Sequence, residues 1–275
     1  PSPGYTSYYQ AVELASGQVV PVKTYERDDF ALTANAIEEN ITPRTKLLCL
    51  VNPSNPTSAV TPPAEVEAIA ALAIKHDLFV ISDEIYADLV YDDAVVLSVA
   101  AIDGMKERTI TINGFSKTYA MTGWRVGYFA AMKPWVTALA EIHHGLAICA
   151  PAVSQHAALA ALEGPQDCVR EFLGIFDERR RFMCRALDDL GITYGQPNGG
   201  FYVYANVSST GMNAPDFCVR LLEETGVMIF PGTLFGDHGD SHVRISLLQP
   251  IERIKEACGR IEAFIKRAAA ADNQH

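Results

Sequence analysis

The chain reads as an α/β protein, a mostly parallel sheet sandwiched by helices, followed by a small α+β unit. Three observations predict this. The runs Lys46-Leu47-Leu48-Cys49-Leu50-Val51 and Leu78-Phe79-Val80-Ile81-Ser82 are apolar without alternation, as expected of strands buried on both faces. Between them, Pro62 to His76 reads as a helix with proline near its first turn. The order strand, helix, strand implies a parallel pair joined by a right-handed crossover. In the second half the character changes to helices interleaved with short strands.

The remaining elements follow in order. Pro1-Ser2-Pro3-Gly4-Tyr5 is loop chemistry, and a helix is expected from Thr6 to Ala15, ended by Gly17. Gln18 to Val22 reads as a short strand, and Thr33 to Asn40 as a short helix stopped by Thr42-Pro43. Arg108 to Ile112 is rich in β-branched residues and reads as a strand, as does Trp124 to Ala131. Pro134 to His144 and Ser154 to Leu162 read as helices, and Pro165 to Leu190 as one long helix stopped by Gly191. Asn198 to Tyr204 is a strand led by glycines. Ala214 to Thr225 is a helix with Pro215 and Asp216 in its first turn. Val227 to Phe230 and Val243 to Ser246 are short strands. Ile251 to Ala270 is a closing amphipathic helix, and the tail Ala271 to His275 is expected to fray. This organisation places a large domain over residues 1–170 and a small one over 171–275, joined by the long helix within about 165–190.

Composition narrows the class. With 275 residues, 49% hydrophobic and 20% charged, the chain can bury a sizeable core. A net charge of -11 without a Lys/Arg cluster argues against nucleic acid and anionic membranes as partners. No apolar run reaches membrane-spanning length, and no signal-peptide pattern opens the chain. The six cysteines, Cys49, Cys149, Cys168, Cys184, Cys218 and Cys258, form no CxxC pair. Their mostly apolar settings suggest reduced core thiols in a cytoplasmic protein.

Chemistry concentrates at strand ends. The first apolar run stops at Asn52-Pro53-Ser54-Asn55-Pro56-Thr57-Ser58, where two Asn-Pro pairs demand an extended, sharply turned loop. The second stops at Asp83-Glu84-Ile85-Tyr86. The strand ending near Ile112 runs into Asn113-Gly114-Phe115-Ser116-Lys117-Thr118, with Arg125 eight residues after the lysine. Ligands of parallel sheets sit beyond the strands' carboxyl ends. Asn55, Asp83, Tyr86 and Lys117 all fall at or just past such ends. A desolvated lysine becomes an amine nucleophile, and an arginine fork holds an anion such as phosphate.

Taken together, these segments resemble the class I/II aminotransferases, pyridoxal phosphate enzymes of fold type I. The landmarks are Pro3-Gly4-Tyr5, Asn52 to Thr57, Asp83-Glu84-Ile85-Tyr86, Ser116-Lys117, Arg125 and Val243-Arg244-Ile245-Ser246, and they run along nearly the whole chain. Ala120-Met121-Thr122-Gly123-Trp124-Arg125 is similar to the subgroup of aspartate, alanine, aromatic and kynurenine aminotransferases. The resemblance implies that Lys117 is the Schiff-base lysine and moves the proton between Cα and the cofactor. It implies that Asp83 pairs with the pyridine nitrogen and keeps the ring protonated. Asn55 and Tyr86 would donate to the ring's phenolic oxygen, Tyr5 would stack on the ring, and Ser116 and Arg125 would bind the phosphate. Arg244 would clamp the substrate's α-carboxylate, with Asn55 also in the substrate site. Catalysis would thus rest on Lys117, Asp83 and Tyr86, with amino acids and 2-oxo acids as substrates, pyridoxal 5′-phosphate as cofactor and a homodimer as the working unit.

Three departures stand out. Ser58 replaces the usual glycine, at modest cost if its φ is negative and at more otherwise. Gly114 stands where many relatives carry a phosphate-binding serine. The family also has an upstream portion with a glycine-rich phosphate turn, a substrate-covering segment and a tyrosine lent to the partner subunit. The chain therefore reads as the later part of a longer protein. Alone, it is expected to be poorly soluble or to bind cofactor weakly.

Other features rank lower. Asp237-His238-Gly239-Asp240-Ser241-His242 has metal-like residue types but reads as a solvated turn, so no metal is expected, and His143-His144 reads as packing or surface. An aminotransferase is the leading function. A β-eliminating C–S lyase on the same scaffold, a non-catalytic pyridoxal phosphate-binding domain and an inactive fragment are the alternatives.

Overall fold

The computed structural model describes residues 1–272; residues 273–275, the end of the tail expected to fray, lie outside the described residues. Backbone contacts divide the chain into two compact units. One comprises Leu32–Pro53 and Val60–Leu173. The other comprises Pro1–Ala31, Ser54–Ala59 and the chain from Gly174 onward. The sequence places the division at 170/171, whereas the first 31 residues and the short loop 54–59 group with the C-terminal unit.

The first unit carries the parallel sheet. Its strands are β1 (Leu47–Val51), β2 (Phe79–Asp83), β3 (Thr109–Gly114) and β4 (Gly127–Ala130), in that spatial order. β1, β2 and β3 are mutually parallel, and β4 is antiparallel to β3. Thus the fold is α/β with a mostly parallel sheet, as expected. β1, however, is an edge strand whose first residue, Leu47, is 39% exposed, so it is not buried on both faces. The strand expected over Trp124 to Ala131 is shortened. A tight turn over Thr122–Trp124 and a left-handed Arg125, φ 51°, come first.

The unit's helices are α2 (Ala34–Glu38), α3 (Pro63–Lys75), α4 (Lys133–Ala147), α5 (Ala152–Glu163) and the start of α6 (Asp167–Asp189), α1 (Thr6–Leu14) belonging to the other unit. α3 turns Val66, Ile69, Ala70 and Ala73 inward at helical spacing, each at most 1% exposed. They join Leu78, Val80, Leu89 and Met105 in the core, where a fully buried side chain of this size contributes about 1.5–3 kcal/mol. Glu65 on α3 accepts the Ala34 N–H (2.8 Å), which satisfies an orphan donor at the start of α2.

The second unit is built on an antiparallel sheet in the order β5 (Thr193–Tyr194), β6 (Tyr202–Asn206), β8 (His242–Ser246), β7 (Phe230–Pro231). Strand alternation decides its two faces. Val203, Ala205, Val243 and Ile245 are buried to 5% exposure or less on one side. α7 (Ala214–Thr225) packs against β7, β8 and α8 (Ile251–Asp272), with Phe217 edge-on to Phe264 at 5.4 Å. Asn213 caps α7 by accepting the Asp216 N–H, and Gly226 ends it in the left-handed region. The opposite face carries Tyr202, Tyr204, His242 and Arg244.

α1 (Thr6–Leu14) is present as expected. The strand expected over Gln18 to Val22 is not. The extended chain there makes a single bridge, in which Val22 and Thr24 bond to Ser2 on both sides of Lys23. Two paired residues do not make a ladder.

All six cysteines carry free thiols. Burial pushes Cys49 and Cys218 up to about 12 and Cys258 up to about 11. Cys149 is exposed rather than a core thiol. Among the described residues, no helix is long and apolar enough to cross a membrane.

Candidate active site

In the parallel-sheet unit the predicted residues gather at adjacent strand ends. Asp83 is the last residue of β2, opposite Val51 on β1 and Ile112 on β3, and is 7% exposed. Its Oδ1 accepts the Ile85 N–H at 3.1 Å, which turns the chain sharply after the strand. The neighbouring Glu84, equally buried, accepts from the hydroxyls of Ser82 (2.9 Å) and Ser98 (2.8 Å) and is thereby occupied structurally. Tyr86, one turn on, is 3% exposed.

β3 delivers Ser116 and Lys117 in a turn held by buried neighbours on both sides. Phe115 is 4% exposed before it, and Thr118 is 2% exposed after it. The Thr118 hydroxyl donates to Asp88 at 3.0 Å. Ser116 and Lys117 are half-buried between these anchors. Lys117 Nζ lies over the Tyr86 ring, 5.8 Å from its centroid. Gly114 has a steric reason: a Cβ there would stand 3.1 Å from Gly127 Cα and 3.3 Å from Ile85. A serine at this position would crowd β4. Arg125 is exposed and donates to the Thr122 carbonyl at 3.2 Å.

The other predicted residues lie in the antiparallel-sheet unit. Asn55, 7% exposed, sits in the loop Ser54–Ala59. Ser58 anchors that loop: its carbonyl accepts the Gly199 N–H (2.9 Å) and its hydroxyl the Tyr202 N–H (3.1 Å). Ser58 is completely buried at φ 58°, so of its two expected cases the costlier one holds. Arg244, on β8, donates to Asn55 Oδ1 at 3.1 Å. Its guanidinium lies over three rings, Tyr202 and Phe235 at 4.5 Å and Phe230 at 5.2 Å. Tyr5, 43% exposed, stands at the start of α1 with its ring edge-on to Tyr8.

The rings around Arg244 were not legible in the sequence. They converge only once β6, β7 and β8 pair, and the available signal was no more than aromatic residues in strands near an arginine.

A separate cavity of about 360 Å³ in this unit is lined by Glu26, Tyr204 and His242 among others. His242 belongs to the loop with metal-like composition. It hydrogen-bonds Glu26 at 2.8 Å and stacks on Tyr204. Burial raises the Glu26 carboxyl, but hydrogen bonds from Thr193, Asn206 and His242 hold it below its ordinary value. Among the described residues, no group of three His, Cys, Asp or Glu side chains gathers to hold a metal.

Ser58 gives a stability prediction. Ser58→Ala keeps the left-handed strain and orphans a buried N–H, which costs about 1–3 kcal/mol. Ser58→Gly loses the same bond but relieves the strain, so it should be about 1 kcal/mol more stable than the alanine variant. Denaturant unfolding of the two variants checks this; equal stabilities would show that φ at this position carries no cost.

The donor set suits a phosphorylated pyridine aldehyde. It offers an amine for the aldehyde, a buried acid for the ring nitrogen, and an exposed arginine and a serine hydroxyl for the phosphate. Known proteins resemble the chain along nearly all of its length. A family model described as aminotransferase class I and II matches residues 1–261. The chain is 40% identical over 268 residues to aromatic-amino-acid aminotransferase 2 of Thermococcus litoralis, covering 97% of this chain and 69% of that protein. It is 39% identical, with the same coverage, to an aspartate aminotransferase of Pyrococcus abyssi. The crystal structure of an aromatic aminotransferase from Pyrococcus horikoshii OT3 superposes with a TM-score of 0.95 at 39% identity, covering 97% of this chain and 72% of that one.

Proposed function

From the premise that this chain belongs to the class I and II aminotransferases, enzymes that depend on pyridoxal 5′-phosphate, we propose how its own residues divide the work. The observation that carries the reading is the grouping of Lys117, Tyr86 and a buried Asp83 at neighbouring strand ends of one unit.

When bound, the cofactor supplies an electron-withdrawing ring that acidifies the substrate's Cα–H. Lys117 Nζ is its attachment point. When not holding the cofactor, Nζ would be the base that takes up and gives back the substrate's Cα proton. The Asp83 carboxylate would keep a proton on the ring nitrogen. The Tyr86 hydroxyl and the amide NH₂ of Asn55 would donate to the ring's phenolic oxygen. The orientation of Asn55 supports this: arginine has donors only, so the amide must turn its oxygen to Arg244, which leaves its NH₂ to donate elsewhere. Ser116 and Arg125 would bind the phosphate, and Tyr5 would be the aromatic partner of the ring. Arg244 holds the substrate α-carboxylate with a planar fork that lysine lacks.

In this proposal the parallel-sheet unit is the large, cofactor-binding domain and the antiparallel-sheet unit the small one. The substrates are an amino acid and a 2-oxo acid. The working unit is a homodimer in the cytoplasm. Apolar side chains exposed on β4 and α4, among them Tyr128, Ile142 and Leu146, support an assembly that covers them, and six free thiols suit a reducing compartment.

Acceptor dependence tests the reaction. Turnover of an amino acid should require an added 2-oxo acid and yield one new amino acid per oxo acid formed. Steady release of ammonia without any acceptor would make the enzyme a lyase instead.

A further inference from the structure

We propose that the rings of Tyr202, Phe230 and Phe235 form a cage that positions Arg244 and sets its affinity for substrate carboxylates. The inference rests on the reading of Arg244 as the carboxylate clamp.

The cage follows from the sheet. Arg244 lies on β8 directly across from Phe230 on β7 and from Tyr204 on β6. Residues two apart on a strand share a face, so Tyr202, two positions from Tyr204, stands on the same side as Arg244. Phe235 reaches the guanidinium from the turn Gly232–Phe235 after β7. Tyr202 and Phe235 are 8% and 6% exposed, so the cation is held in a poorly hydrated setting.

Three consequences follow from chemistry. Ring faces attract a cation through their quadrupole, and more strongly where water is excluded. They offer no lone pairs there, so they hold the guanidinium without occupying the N–H donors that a carboxylate needs. The hydrogen bond to Asn55 Oδ1 is likewise to an uncharged partner. A carboxylate side chain in the cage's place would hold Arg244 equally well but would compete with substrate. The rings fix the arginine through contacts that use none of its N–H donors. They are positioning residues: they touch Arg244, not the reacting atoms.

The tie at Ser58 extends this arrangement. One hydroxyl fixes the backbone of Tyr202, while the same short loop carries Asn55. The amide and one wall of the cage are therefore set by a single anchor.

Steady-state kinetics of the holoenzyme test the proposal. Tyr202→Leu removes one ring, and Phe230→Leu, at a half-buried position, removes another with less risk to folding. In each, KM for the amino acid and KM for the 2-oxo acid should rise together by about tenfold, with kcat within about twofold of the parent and the cofactor's visible spectrum unchanged. Tyr202→Phe keeps the ring and should keep the parent KM. Arg244→Ala is measured beside them. If Arg244→Ala leaves both KM values unchanged, the clamp reading fails. If Arg244→Ala raises them and the two leucine variants do not, the cage alone fails. A Tyr202→Phe variant as impaired as Tyr202→Leu would assign the effect to the hydroxyl and overturn the cage.

Discussion

Lys117→Ala lowers the rate of amino transfer by at least about 10⁴-fold. Proton transfer by a positioned side chain contributes about 10²–10⁴-fold by itself. In the proposed mechanism the same nitrogen is also the attachment point, so one substitution would remove both contributions. The turn around it should survive. Its fixed points are the buried Phe115 and the Thr118–Asp88 hydrogen bond, and neither involves the lysine amine. The variant should therefore remain folded and still take up cofactor non-covalently through Ser116, Arg125 and Asp83. An added small primary amine should restore part of the proton transfer. A folded Lys117→Ala protein with parent activity would remove this residue from the chemistry.

Asp83→Asn should keep the cofactor and slow proton removal from Cα by about 10²–10³-fold, the usual loss when one preorganised electrostatic partner is taken away. The substitution is nearly isosteric. The oxygen that accepts the Ile85 N–H at 3.1 Å survives in asparagine, so the turn after β2 is preserved. What changes is the charge at a site 7% exposed, where little water can compensate. The charge that would hold a proton on the ring nitrogen is then gone, and the electron sink would weaken. Proton removal becomes rate-limiting, so a substrate deuterated at Cα should show a larger isotope effect in the variant than in the parent. Near-parent rates with an unchanged isotope effect would exclude Asp83 from the mechanism.

Parts of this protein are legible in its sequence for physical reasons. β2 and β3 were readable because a continuous apolar run and a β-branched run leave few alternatives, and the polar residues that end them stand out by contrast. Asp83 and Lys117 fall at such ends, one inside β2 as its last residue and the other just past β3. The helices were readable from spacing and from end signals, as with Pro215 and Asp216 in the first turn of α7.

What escaped depends on contacts between residues far apart in the chain. Gln18 to Val22 has strand-like composition, but its pairing is limited to Ser2. β1 has the apolar run of a buried strand yet lies at the sheet's edge, which only strand order decides. The loop Ser54–Ala59 belongs to the antiparallel-sheet unit because Ser58 bonds to Gly199 and Tyr202, more than 140 positions on. The cage around Arg244 has the same origin. Phe230 meets the arginine by register and Tyr202 by strand alternation, and neither fact precedes the pairing of three strands.

Lys117 is the residue proposed to carry the cofactor. The most direct measurement is to load the intact protein with pyridoxal phosphate, make the attachment permanent with borohydride, digest, and locate the labelled peptide by mass spectrometry. One label per chain is expected, on Lys117, in the peptide that contains Phe115 and Ser116. A label on Lys75 or Lys133 instead, with Lys117 unmodified, would contradict it.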